Sequence, residues 1–207
     1  NTRLHVLHLS TAKELELFEQ GTNFEQKKIT AEVCVHHLWF HEAHYEIKGT
    51  LIKWNPAVKT KHDRDSLLAA LLNDKIDVIA TDHAPHTIEE KQSKYFKSPS
   101  GGPMVQHSLV AMLELVHQNK LTIEKVVEKM SHAPARLYNI MSRGFIQPGL
   151  KADLVLVDMN REWKVEHQNL LYKCGWSPWK GKSCILLLPI PGSTGCWYIK
   201  KACLMRW

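Results

Sequence analysis

"DVIATDHAPH", residues 77–86, decides the fold. With the preceding Ile76 it reads as a nearly all-apolar strand, the pattern of a strand covered by protein on both faces. It ends in Asp82, His83 and His86, side chains that bind a metal or move a proton. In parallel α/β proteins such groups gather at the C-terminal ends of strands. Just upstream, "HDRDSLLAALLND" puts Leu67, Leu68, Leu71 and Leu72 on one predicted helix face, entered through polar capping residues. Before that, "ITAEVCV" reads as a second strand with His36 and His37 at its end. Leu4–Leu9 reads as a third strand, carrying His8 and followed by a Ser10/Thr11 cap and the helical stretch "AKELELFEQG", which Gly21 closes. Strand and helix alternate through short connections, which is the signature of a parallel α/β architecture.

Downstream the texture changes. "HTIEEKQSKYFKSPSGGP" is polar and is expected to form a loop over the sheet face, leading into a long helix, Met104–Gln118. "TIEKVVEKMS" and "APARLYNIM" are two more predicted helices, the second with Pro134 at a tolerated first-turn position. "GFIQPGLKADLVLVD" ends in a predicted strand, Ala152–Val157. No internal repeat or linker interrupts the chain.

At 44% hydrophobic and 23% charged residues, the 207-residue chain is composed like a folded globular protein. Its net charge of +6 is spread among acids instead of forming a basic stripe, so no nucleic-acid partner is expected. Five cysteines, without repeated close spacing, suit reduced thiols and a cytoplasmic location. The oily run "CILLLPIPG" is too short for a bilayer, so no membrane partner is expected. Asn1 opens almost inside a strand without an initiator Met, which leads to the expectation of a truncated chain. Trp and Cys concentrate after residue 172, and the fold is expected to become uncertain near Cys174.

His8, the His36–His37 pair, and Asp82 with His83 and His86 each follow a strand and precede a helix. A lone strand histidine is usually a hydrogen-bonded core residue, but three such strand ends together favour a metal hydrolase. A carboxylate such as Asp82 can touch a metal through one oxygen and accept a proton through the other. Catalytic zinc usually has three protein ligands, and His8 with Asp82 makes only two certain candidates.

"HVLHLST", "TAEVCVHHL", "KWNPAVKTKHDRDSLLAAL", "DVIATDHAPHTIEEK" and "HAPARLYNI…GFIQPGLKADLVLVD" resemble, in order and spacing, the dihydroorotases of the amidohydrolase superfamily. The resemblance runs from residue 3 to about residue 179. It implies part of a metal-dependent (β/α)8 barrel, its last three strands, plus part of a small β-domain: barrel at 1–142, return to the small β-domain at 143–179, and a divergent or frame-altered tail at 180–207. It implies reversible closure of N-carbamoyl-L-aspartate to L-dihydroorotate in pyrimidine synthesis, with Zn2+ as cofactor, binuclear in the full-length enzyme. His8 and Asp82 match metal ligands, and Asp82 also matches the general acid/base that serves a metal-activated hydroxide. Asn55 matches a contact to the pyrimidine ring, His86 a contact near the substrate carboxylate, and Pro103 and Met104 backbone contacts to substrate. His5 matches a structural position, and His36, His37 and His83 are expected to hydrogen-bond behind the ligands.

The family's His-x-His pair, bridging Lys or Asp and a further His are expected upstream of this stretch. A closed barrel needs about 250 residues, so the chain is expected to be unable to close one alone and to be inactive by itself. The small-molecule substrate is the expected partner, and a homodimer of the full-length protein is compatible with the resemblance. Two other functions fit the same residues: a non-catalytic dihydroorotase-like assembly subunit, and a related cyclic-amide hydrolase such as a dihydropyrimidinase, hydantoinase or allantoinase.

Overall fold

The structure is a computed structural model that describes residues 2–21, 23 and 26–188. Three strands, β1 (Leu4–Val6), β2 (Ile29–Cys34) and β3 (Val78–Ala80), form a parallel sheet in the order β1-β2-β3. Val6 lies opposite Ala31, and Cys34 opposite Ala80. β2 is central and buried from Thr30 onward, its small and branched residues interrupted only by Glu32.

α1 (Val35–Trp39) starts directly after β2 and is followed by α2 (Tyr45–Lys48). α3 (Lys61–Leu72) begins at a reciprocal cap: the Thr60 hydroxyl accepts from the Asp63 amide, and the Asp63 carboxylate accepts from the Thr60 amide. Its buried face is Leu67, Ala70 and Leu71; Leu72, expected on that face, is 40% exposed. α4 (Ile88–Lys91) carries a matching Thr87/Glu90 cap. The helix expected over Met104–Gln118 opens as a 3-10 turn, Val105–His107, and becomes α-helical only as α5 (Ser108–His117). The next two predicted helices are one continuous path, α6 (Ile123–Val127) running through a π turn at Glu128–His132 into α7 (Ala133–Leu137). α1 packs on α3 and α5, and the π turn packs on β3.

Three short-range expectations shift. "AKELELFEQG" forms only a 3-10 turn, Lys13–Leu17, because the Glu14 carboxylate folds back onto the Ser10 and Thr11 amides while Leu15 and Phe18 turn into the core. The strand predicted at Ala152–Val157 lies later, as β4 (Leu156–Lys164). It pairs antiparallel with β5 (Ser183–Leu188), a strand inside the stretch read as an uncertain tail; a continuous apolar run shows no alternation to betray it. The rest of that stretch, 189–207, lies outside the described residues.

One core cluster runs under the sheet and is centred on large aromatics. Trp54, Trp179 and Phe40 are almost wholly buried, and Phe40 lies 4.9 Å from the Trp179 ring. At the N-terminal end of the sheet the chain is locked by charge. Lys27 Nζ donates to Asp77 Oδ1 at 2.7 Å and to the Lys75 carbonyl at 3.2 Å. Asp77 Oδ2 accepts from the Ala31 amide at 2.7 Å, tying β2 to β3. Beside it Lys125 and Lys129 meet Asp74 at 2.8 and 2.9 Å, and Lys129 also donates to the Ile76 carbonyl.

Candidate active site

His8 stands two residues past β1 and Asp82 two past β3, so the sheet presents both at its C-terminal edge. Both have left-handed backbone, φ 41° and 45°. This conformation costs a non-glycine residue roughly 1–2 kcal/mol and persists only where neighbours hold it. The holder for His8 is Glu32 of β2, a buried carboxylate that accepts from the His8 amide at 3.3 Å and contacts His5 Nε2 at 3.2 Å. His5 Nδ1 also lies 2.8 Å from the Thr30 hydroxyl. The sequence reading passed over Glu32; a lone carboxylate inside the apolar "TAEVCV" was the available signal. Burial raises the Asp82 carboxyl above the usual carboxylate range, His8 opposes that rise and Glu32 adds to it. One imidazole and one carboxylate, held at the ends of the two strands that flank β2, fit two of the three protein ligands of a catalytic zinc.

The loop after Asp82 is built on a second segment, 101–104. His83 bridges to Gly102, and its Nδ1 accepts from the Met104 amide at 2.9 Å and the Val105 amide at 3.3 Å. Glycine is required at the crossing: a Cβ on Gly101, whose φ is 117°, would lie 2.6 Å from the Ala84 carbonyl oxygen, and one on Gly102 would lie 2.9 Å from the Trp54 ring. Lys91 clamps the segment from beneath. Its buried ammonium donates to the carbonyls of Lys53, Pro99 and Gly101 at 3.2, 2.9 and 2.8 Å. Burial, with a smaller contribution from Lys53, brings its pKa down to about 8.

The residues matched to substrate contacts are placed as follows. Asn55 is exposed, ahead of a cis bond to Pro56. His86 donates from Nε2 to the Ser100 carbonyl at 3.0 Å, leaving Nδ1 on the side of Glu90, 3.7 Å away. Its carbonyl accepts from the Trp176 indole at 2.7 Å. Pro103 and Met104 are buried, the Met104 amide is committed to His83, and its carbonyl accepts from His107. A cleft of about 450 Å3 opens beside them, lined by His83, His86, Tyr172, Lys173 and Cys174. The sequence reading did not select Tyr172 or Lys173, and no pattern in "LLYKCGW" points to them.

His36 and His37 sit in the first turn of α1, beside Cys34. His37 donates from Nε2 to the Pro56 carbonyl at 3.0 Å. The His36 ring makes no hydrogen bond and instead stacks on Trp54, ring centres 4.1 Å apart. Burial, assisted by His37 and His8, holds His36 well below the usual imidazole range; burial brings His37 down to about 4, and pushes the Cys34 thiol up.

Residues 3–182 match the amidohydrolase family. The chain belongs to that family. It is 36% identical over 177 residues to a dihydroorotase of Pyrococcus furiosus, an alignment covering 86% of this chain and 40% of the relative. It is 37% identical over 182 residues to a dihydroorotase of Clostridioides difficile, covering 87% and 42%. The chain thus spans about two fifths of the length of these curated relatives. Its fold matches L-hydantoinase (dihydropyrimidinase) from Arthrobacter aurescens with a TM-score of 0.80 at 29% identity, covering 89% of this chain and 43% of that one. It also matches the inactive dihydroorotase-like domain of a Chaetomium thermophilum CAD-like multifunctional protein, with a TM-score of 0.60 at 20% identity, covering 88% and 47%. Three parallel strands with their covering helices therefore form part of an amidohydrolase barrel.

Proposed function

We propose that this chain carries the proton-transfer end of a dihydroorotase, acting on N-carbamoyl-L-aspartate and L-dihydroorotate in cytoplasmic pyrimidine synthesis. The observation that carries the reading is the pairing at the sheet edge: His8 and Asp82, each in left-handed backbone at a strand end, with the Asp82 carboxyl drawn upward by burial and downward by His8. Zn2+, when bound there, supplies Lewis-acid polarisation and makes water a stronger nucleophile at neutral pH. His8 would give it an imidazole nitrogen and Asp82 one carboxylate oxygen.

The remaining chemistry belongs to the chain's own groups. In ring opening, the oxygen of water bonds to the ring carbonyl carbon, and the Asp82 carboxylate accepts the proton that water gives up. The carbon–nitrogen bond of the ring then breaks, and Asp82 returns the proton to the departing nitrogen. Ring closure runs these transfers backwards. A carboxyl raised above its ordinary range suits both directions, since it holds and releases a proton nearer neutrality than an exposed aspartate does. Asn55 supplies an amide for the ring, His86 an imidazole for the substrate carboxylate, and Lys173 a cation at the wall of the cleft.

A second reading, a cyclic-amide hydrolase of hydantoinase type, is favoured by the 0.80 TM-score to L-hydantoinase. Assay of the full-length, zinc-loaded protein separates the two. The first reading expects turnover between N-carbamoyl-L-aspartate and dihydroorotate and none of hydantoin or dihydrouracil. Turnover of hydantoin or dihydrouracil alone would establish the second. No turnover of any of these would place the chain with inactive homologues.

A further inference from the structure

Beneath the His8–Asp82 edge lies a cluster that the proposed reaction does not use. Ligand atoms of Cys34, His36 and His37 lie within 4.8 Å of one another, and the three residues are 0%, 0% and 2% exposed. Neither ring nitrogen of His36 has a hydrogen-bond partner. A neutral imidazole carries one donor and one acceptor, so both go unsatisfied in a place water does not reach. His37 differs in an informative way. Its Nε2–H is spent on the Pro56 carbonyl, which fixes the tautomer and leaves Nδ1 as a buried lone pair without a partner. A metal-binding histidine has this arrangement, its second nitrogen held by a backbone carbonyl.

We propose that Cys34, His36 and His37 form a second cation site, separate from the one at His8 and Asp82 and suited to a thiophilic divalent ion of the zinc type. One sulfur and two imidazoles exclude the hard cations Mg2+ and Ca2+, which require oxygen ligands. On binding, a metal–sulfur bond forms, the Cys34 S–H bond breaks and the proton leaves to water; the thiolate cancels one of the two positive charges. Bonds of about 2.0–2.3 Å set tetrahedral ligand atoms about 3.3–3.8 Å apart, so the three residues close inward by roughly 1 Å. Both histidines lie on the five-residue α1, whose N-cap is Cys34 itself and carries no side-chain cap, so a small rotation of that turn supplies the movement. The site depends on no particular reading of the reaction.

The test uses Co2+ in the full chain with Cys174, Cys184, Cys196 and Cys203 changed to Ser, so that Cys34 is the only thiol. After treatment with chelator, added Co2+ is expected to give a near-ultraviolet sulfur-to-cobalt charge-transfer band that saturates at one ion. His8→Ala in the same background should keep the band, because that site holds no sulfur. Cys34→Ser should abolish it, and His36→Asn should weaken binding at least about tenfold. Absence of the band in the Cys34-only chain, or its loss in His8→Ala, would overturn the proposal. Zinc X-ray absorption on the Cys34-only chain needs no substitution in the cluster and covers the case where those variants do not fold. One sulfur at about 2.3 Å is expected, and a shell of nitrogen and oxygen alone would overturn the site.

Discussion

The two ends of one sheet differ in how they treat charge. At the N-terminal end the buried lysines meet carboxylates: Lys27 meets Asp77, and Lys129, with Lys125 beside it, meets Asp74, at 2.7–2.9 Å. At the C-terminal end the Asp82 carboxyl is raised by burial, the His36 ring nitrogens have no hydrogen-bond partner, and His8 and Asp82 both hold left-handed backbone. The first end spends its charges on register and stability. The second keeps polar groups poised and strained, as a site does that is meant to meet something else. The same three strands carry both, so a change at one end should leave the other largely untouched.

That division can be broken by experiment. Lys27→Met strands Asp77 in the interior and should cost about 3–5 kcal/mol in denaturant titration, with turnover per folded molecule of the full-length enzyme unchanged. A large loss of turnover would mean that the ends are coupled. Next in size is an acid effect. Burial holds His107 at about 4 against an ordinary 6.5, so the native state binds fewer protons than the unfolded chain between those values. The His107 contribution is fully present above pH 6.5 and is lost as pH drops toward 4, by an amount on the order of 3 kcal/mol, with the buried His36 and His37 acting in the same direction. His107→Gln should flatten that slope in melts taken across the same range; an unchanged slope would remove His107 as its source. Lys91→Met leaves the Pro99 and Gly101 carbonyls without a donor, the Lys53 carbonyl keeping the Gly101 amide, and should lower stability by about 2–3 kcal/mol. If the 101–104 segment serves the substrate as proposed, the same change should raise KM more than it lowers kcat. Smallest in stability is Glu32→Gln, about 1 kcal/mol, since the amide oxygen can still accept from His8. If Glu32 holds the His8 turn, turnover should fall by more than that stability loss accounts for.

How much of this the sequence discloses follows from the range of each interaction. β2 and α3 are legible because their patterns are local: a largely apolar run, and a capped helix with a leucine face. The placing of Asp82 and His8 is legible because both fall just past strand ends in recognisable segments. Glu32 is not, because its importance arises only when β1 lies beside β2 and His8 presents its amide. Lys91 reads as one charge in a polar loop until three carbonyls converge on it. His36 and His37 look alike in sequence, yet only one finds a carbonyl, and the difference lies in where Pro56 and Trp54 come to rest. β5 was missed because its partner β4 lies far back in the chain and its apolar run has no alternation.

The central claim is that Asp82 moves the proton. Asp82→Asn keeps the size and one oxygen of the side chain and removes its basicity. Measured in the full-length zinc-loaded enzyme in both directions of the reaction, it should reduce turnover by about 100-fold or more. Its unfolding free energy should stay at or above that of the parent, since removing a half-buried charge relieves strain at that end of the sheet. Near-parental rates in both directions would contradict the account.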